Sequence, residues 1–214
     1  MSDLTAEQAI YAKAVTEAHA HFSEVISLTS SWRLRPRFKD QYAMLSLRRA
    51  IEAFAFAAIA PNKDEYEQIR GTEKLGIDWH AKRIFETLDK ANPDFFPRAV
   101  TGPNRTAEGK WLFNRPAAEP FPREVAEDAY GRCSELLHTA NPWGDGNAEV
   151  DLDWLASVAR NGLQLLHQHA AFIRARGFTG CWVVSRQPNG DWRFLSASAA
   201  GDFIINPSSS SREG

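Results

Sequence analysis

Apolar residues recur every three or four positions along several long stretches of the chain, and shorter stretches rich in proline, glycine and polar residues separate them. Residues 6–30 follow this helical period, and Thr5 and Gln8 have the spacing of a capping box. The same period runs from Asp40 to Ala60, where the second half has little polar surface. These patterns predict two long helices, of which the second is the most buried in the protein.

Residues 32–38 are predicted to connect these two helices, because Pro36 resists the continuation of a helix. This connector contains the only dense basic patch of the chain, Arg33, Arg35 and Arg37, next to Trp32. Such a patch could follow a single nucleic-acid strand through charge and stacking. A solvated loop is the alternative interpretation.

Three further helices are predicted, over residues 78–91, 123–140 and 151–176. Asp151 has the position of an N-cap of the last helix, and Gly177 has the position that ends it. The segments 123–140 and 151–176 each place apolar residues on one face of the helix, which is expected to be the core face.

The remaining patterns are those of strands. Residues 110–114 fit either a short strand or a hydrophobic plug that packs on the helices. Residues 181–185 and 192–195 are strand-like and flank a Pro-Asn-Gly-Asp turn sequence, which predicts a β-hairpin. A two-stranded hairpin is marginally stable alone, so it is expected to pack on the helices.

The predicted fold class is therefore mainly α, a bundle of about five helices followed by a C-terminal β-hairpin. The bundle is assigned to residues 1–178 and the hairpin to residues 179–206. Residues 207–214 are rich in serine and lack the apolar content to fold, so they are predicted to be a disordered tail.

Composition and charge limit the classes of function. The 214 residues have a formal net charge of −2, which excludes a global attraction to nucleic acid or to anionic lipid. Two cysteines are too few for a disulfide framework, and no signal peptide or membrane-spanning run is apparent. A cytoplasmic protein that does not contact membranes is expected, and any nucleic-acid contact must be local.

Neither a metal ion nor another cofactor is expected. His19 and His21, like His167 and His169, are two positions apart, so on a helix the members of each pair point in different directions. No spacing typical of zinc, calcium, phosphate-binding-loop or dinucleotide sites occurs in the chain.

The most informative chemistry is on the helix predicted over residues 123–140. The helical wheel places Tyr130 and Cys133 on its core face and Arg132 and His138 outside that face. A guanidinium can clamp a scissile phosphate, and an imidazole that titrates near neutrality can move the proton of a 2′-hydroxyl or of the leaving group. An exposed arginine and a histidine at a helix end, without function, are the alternative interpretation.

The segment Ser134-Glu-Leu-Leu-His138, followed by Asn141-Pro142, resembles the HEPN superfamily (higher eukaryotes and prokaryotes nucleotide-binding domains), in particular an uncharacterised bacterial branch. Arg132 and His138 match the Arg-x(4-6)-His motif of that superfamily. The segment 45–56, with Arg48 and Glu52 four residues apart, looks like an earlier HEPN helix. The resemblance covers residues 5–176.

The resemblance implies a helical bundle that is often dimeric, and a metal-independent ribonuclease of a toxin-antitoxin or phage-defence system. Arg132 and His138 would be the catalytic residues, Ser134 or Glu135 would orient the imidazole, and Asn141 would belong to the same motif. Many active members have Asn, Asp or His directly after the arginine, whereas this chain has Cys133. The alternative is therefore a non-catalytic module that binds RNA, a nucleotide or a partner protein.

Two further arginines could contribute to such a site. Arg48 and Glu52 are one turn apart on the most apolar helix, which is typical of a structural ion pair. The alternative is that Arg48 or Arg49 adds a phosphate contact beside Arg132. Because a chain with a net charge of −2 has little positive charge to spare, a homodimer that brings two motifs together is expected.

Overall fold

The structure is a computed structural model that describes residues 4–31, 36–78, 80–105, 107, 111–137, 150–175 and 178–198. It is mainly helical with a small antiparallel sheet, so the predicted fold class is confirmed at that level. The helices are α1 Ala6–Ser30, α2 Pro36–Ile59, α3 Lys63–Arg70, α4 Ala81–Ala91, α5 Arg123–Leu137 and α6 Leu152–His167. The strands are β1 Arg98–Ala99, β2 Thr101–Arg105, β3 Trp111–Asn114, β4 Gln168–Ala175, β5 Phe178–Arg186 and β6 Trp192–Ser198.

The first helix has the predicted bounds. Thr5 and Gln8 form the capping box, in which the Gln8 amide donates to Thr5 Oγ1 at 3.2 Å and the Thr5 amide donates to Gln8 Oε1 at 3.1 Å. These bonds satisfy two amide groups that the first turn of a helix leaves without partners. α1 and α2 then pack against each other along their apolar faces.

The second helix begins earlier than predicted. α2 starts at Pro36, whereas the sequence pattern places Pro36 in a connector and starts the helix at Asp40. Proline has no backbone N–H, but the first turn of a helix does not use that donor, and the fixed φ of proline suits the first helical position. Pro36 therefore begins the helix instead of delaying it. Arg33 and Arg35 of the basic patch lie outside the described residues, and Arg37 lies within α2.

The prediction of one helix over residues 151–176 is wrong in its second half. α6 ends at His167, and residues 168–175 form β4, which pairs antiparallel with β5 in a register that sets Ala170 opposite Val183. A short apolar run fits a buried strand as well as a helix, and here pairing with a distant segment decides the outcome. Gly177 lies outside the described residues.

The predicted hairpin is present as β5 and β6, joined by a turn with Gly190 at φ +89°. It belongs to a larger sheet, in the order β1-β4-β5-β6, and β5 pairs with β4 across the predicted boundary at residue 178. The sheet packs on α1, where Trp192 Nε1 donates to Thr16 Oγ1 at 2.8 Å and Gln8 Nε2 donates to Ser196 Oγ at 3.2 Å.

The segment between α2 and α5 contains more regular structure than the sequence pattern predicts. Its α3 was not predicted, because this polar helix buries only Tyr66. α4 begins at Ala81 and not at Asp78, whose carboxylate instead accepts hydrogen bonds from Tyr66 and Arg70. The strand alternative for residues 110–114 is confirmed by β3, which pairs with β2.

The core lies where α1, α2, α5 and α6 meet. Phe22, Phe54 and Phe121 are buried there in edge-to-face contacts, with ring centroids 5.6 Å and 6.2 Å apart. Gly162 of α6 lets the Phe22 ring approach the helix backbone, since a Cβ at that position would lie 2.5 Å from Phe22 Cζ. α5 is thereby held with one face in the core and the opposite face in solvent.

Candidate functional site

Arg132 lies on the exposed side of α5, as the helical wheel predicts. The described part of α5 ends at Leu137, so His138 and Asn141 lie outside the described residues and their roles remain predictions.

The Arg132 guanidinium lies over the indole ring of Trp154 in the first turn of α6. Its central carbon lies 3.8 Å from the centre of the ring, the separation of a direct cation–π contact. Trp154 is fixed in turn, because its backbone amide donates to the N-cap carboxylate of Asp151 at 2.9 Å and its side chain packs against the core. α6 thus supplies a rigid support for a cation of α5.

Arg132 forms no ion pair with any of the residues that the structure describes. Asp128 and Glu135 are exposed about one turn before and after it, but neither carboxylate reaches it. Arg123 at the start of the same helix differs, since Asp89 and Glu127 accept hydrogen bonds from it at 2.6 Å and 2.7 Å. The guanidinium edges of Arg132 can therefore bind an external anion.

Ser134 and Glu135 follow Arg132 on α5. The Ser134 hydroxyl donates to the Tyr130 carbonyl at 2.7 Å, so its oxygen can accept a hydrogen bond from another group but its proton is already used. Glu135 is exposed. That either residue orients an imidazole stays a prediction.

Arg48 and Glu52 form an ion pair within α2, and Tyr130 of α5 joins it through its hydroxyl. Arg48 Nε donates to Glu52 Oε1 at 3.0 Å, Arg48 Nη2 donates to the Tyr130 hydroxyl at 3.4 Å, and that hydroxyl donates to the same Glu52 oxygen at 3.1 Å. Burial alone would lower the pKa of Arg48, but its bonds to Glu52 and Tyr130 raise it. These contacts favour the structural interpretation of Arg48, since its donors are engaged within the protein.

The sequence reasoning missed two members of this group. The Tyr130 hydroxyl is also 3.5 Å from Nδ1 of His80, so Arg48, Glu52, Tyr130 and His80 form what we call the α2–α5 polar cluster. Tyr130 was placed on the core face, and a buried tyrosine hydroxyl requires a polar partner, which was the available signal. Arg49, the neighbour of Arg48, is exposed and lies outside the cluster.

Cys133 is fully buried, as the helical wheel predicts. Burial raises the pKa of its thiol to about 12, so the group stays protonated at neutral pH. It therefore behaves as a small apolar residue and contributes neither a nucleophile nor a hydrogen bond to the surface beside Arg132.

Among the described residues, no group of three or more His, Cys, Asp or Glu side chains could hold a metal ion. A cavity of about 290 Å³ lies between α4 and α5, lined in part by Lys82, Phe85 and Gly131. A larger cavity of about 680 Å³ lies next to β1, near Arg98 and Glu119. Within the described part of the chain, no helix is long and apolar enough to cross a lipid bilayer.

Comparisons of the chain with protein-family models, with curated proteins and with solved structures found no match.

Proposed function

We propose that this chain is a HEPN-like domain that acts on RNA, with Arg132 of α5 as its phosphate-binding group, and that it cleaves RNA without a metal ion. The observation that supports this most is the state of Arg132, which is exposed, stacked on Trp154 and without an acidic partner among the described residues. A surface arginine that is held in place but not neutralised suits an anionic ligand.

In the proposed reaction, His138 takes the proton of a ribose 2′-hydroxyl. The 2′-oxygen then bonds to phosphorus while the bond from phosphorus to the 5′-oxygen breaks, and the leaving oxygen takes a proton from solvent. Arg132 binds the non-bridging phosphate oxygens, on which negative charge develops during the reaction. The products are a 2′,3′-cyclic phosphate and a 5′-hydroxyl.

A single Arg132 is a weak binding site for a polyanion, and the chain has a net charge of −2. The proposal therefore includes a homodimer in the cytoplasm in which the two motifs contribute to one surface. Sedimentation checks this part, because a protein that stays monomeric at high concentration does not form such a composite site.

Incubation of the purified protein with end-labelled RNA in EDTA tests the activity. Wild-type protein should cleave, Arg132→Ala should lower the rate by about 100-fold or more, and His138→Ala by a similar factor. Arg160→Ala is the matched control, since Arg160 is an exposed arginine of α6, and it should cleave like wild type. No cleavage by wild type, or equal cleavage by all four proteins, would contradict the ribonuclease assignment.

A second candidate function is RNA or protein binding without cleavage. The burial of Cys133 favours it, because the position after Arg132 then offers no polar group to the surface. This candidate predicts that wild-type protein binds its partner in the absence of any cleavage, and that Arg132→Ala weakens that binding.

A further inference from the structure

We infer that Trp154 is a positioning residue for Arg132, and that the stacked pair recognises RNA through one unpaired base beside one phosphate. This inference rests on the proposed function, because it states which form of RNA the site accepts. It starts from the contact of 3.8 Å between the guanidinium carbon of Arg132 and the ring of Trp154.

Arg132 stays exposed beside Trp154, and no carboxylate of the described residues pairs with it. The guanidinium carbon lies 3.8 Å over the centre of the indole ring, and Arg132 is among the exposed residues of α5. Trp154 is half-buried and packs against the core, so the tryptophan is the fixed layer and the arginine is the outer layer. An exposed guanidinium over a ring can accept a second planar group on its side away from that ring.

A nucleobase is the planar group that accompanies a phosphate in RNA. Bases stack on arginine planes as well as on aromatic rings, while the guanidinium N–H groups remain free for phosphate oxygens. In duplex RNA the faces of the bases are already stacked inside the helix, so only an unpaired base can cover Arg132. The geometry therefore selects single-stranded RNA.

The charges around Arg132 favour a contact with one nucleotide over a contact with several. Asp128 and Glu135 lie about one turn away on either side along α5 and would repel further phosphates that follow the helix. A site with one cation between two carboxylates suits a single phosphate and its neighbouring base more than the two charged strands of a duplex.

The chain offers a matched control for the stack. Arg186 of β5 lies over the ring of Trp192 in β6, but its guanidinium carbon is 5.3 Å from the ring centre. Trp192 is in the sheet and donates to Thr16 of α1, so its removal perturbs packing without touching α5. A Trp192→Leu variant therefore reports what the loss of a partly exposed tryptophan does in general.

Fluorescence anisotropy tests the inference with a labelled 2′-O-methyl RNA, which has no free 2′-hydroxyl and is not cleaved, as a single strand and as a duplex. Trp154→Leu should weaken single-strand binding about tenfold and leave duplex binding within about twofold, and Trp154→Phe should have a smaller effect of the same kind. The double variant Arg132→Ala/Trp154→Leu should bind no more weakly than Arg132→Ala. Trp192→Leu should bind both forms like wild type.

The outcomes separate the two proposals. If wild-type protein neither binds nor cleaves RNA, the proposed function fails and this inference fails with it. If wild type binds single strands but both Trp154 variants bind as tightly, or lose single-strand and duplex binding equally, this inference alone is overturned. Circular dichroism of each variant checks folding, and Trp154→Phe keeps an aromatic ring in the core contact if Trp154→Leu does not fold.

Discussion

We predict that His169 of β4 makes the stability of the fold depend on pH. Its side chain is fully buried, its Nε2 lies 2.7 Å from the Tyr11 hydroxyl of α1, and its Nδ1 has no hydrogen-bond partner among the described residues. Burial lowers the pKa of His169 to about 4, and the nearby backbone of Leu165 and Leu166 offsets this only in part. The imidazole is therefore neutral in the folded protein at neutral pH.

The size of the effect follows from the two pKa values. In the unfolded chain the histidine has its ordinary value of 6.5, so below that pH the unfolded state binds a proton that the folded state does not. The free energy of unfolding should then fall between about pH 6.5 and pH 4, and level off below. The difference corresponds to about 3 kcal/mol, a large fraction of the stability of a typical domain.

Urea denaturation at several pH values between about 7.5 and 4 measures this contribution. His169→Gln cannot titrate, so the difference in unfolding free energy between wild type and this variant should change by about 3 kcal/mol over that range. His167→Gln is the matched control, because it removes an exposed histidine two residues earlier and keeps His169, so its free energy of unfolding should still fall over that range. A constant difference between wild type and His169→Gln would refute the reasoning.

Two glycines and one polar cluster give further predictions, all measured by urea denaturation. Gly131→Ala should raise the free energy of unfolding by roughly 0.5–1 kcal/mol, because a Cβ there meets no atom within 4 Å and alanine favours the helix. Gly162→Ala should lower the free energy of unfolding by about 1–3 kcal/mol, because the added Cβ forces the Phe22 ring to move. If both glycine variants changed the free energy of unfolding in the same direction, the packing described would be contradicted. In the α2–α5 polar cluster, Tyr130→Phe and Glu52→Gln should each lower the free energy of unfolding by about 1 kcal/mol. The double variant should lose less than the sum of the two single losses, because both changes remove the same hydrogen bond. Additive losses would mean that the two groups act independently.

Local signals predicted the elements that local interactions form. The capping box and the continuous apolar face fix α1 at its observed bounds, and the turn sequence fixes the hairpin. β4 was missed because residues 168–175 satisfy a helical period, and only the long-range pairing with β5 makes them a strand. α3 was missed because it is short and polar, so its sequence has almost no apolar periodicity that would indicate a helix.

The candidate site likewise has features that depend on one helix and features that depend on contacts between helices. The exposure of Arg132 and the burial of Cys133 follow from the period of a single helix, so the sequence predicted both. The support of Arg132 by Trp154 joins two helices whose relative position depends on the whole core, and no pattern within either helix encodes it. Tyr130 connects α2 to α5 in the same way.

The arginines around α5 differ in how far the protein neutralises them, and this difference decides which of them can act on a ligand. Arg48 is paired with Glu52, and Arg123 is paired with two carboxylates, so binding a phosphate at either would first require an existing ion pair to break. Arg132 requires no such step with any residue that the structure describes, because it makes no ion pair with them and its guanidinium lies over the Trp154 ring. A protein with a net charge of −2 can therefore still present one unpaired cation to an anion, provided that this cation is held by an aromatic ring and not by a carboxylate of the described residues.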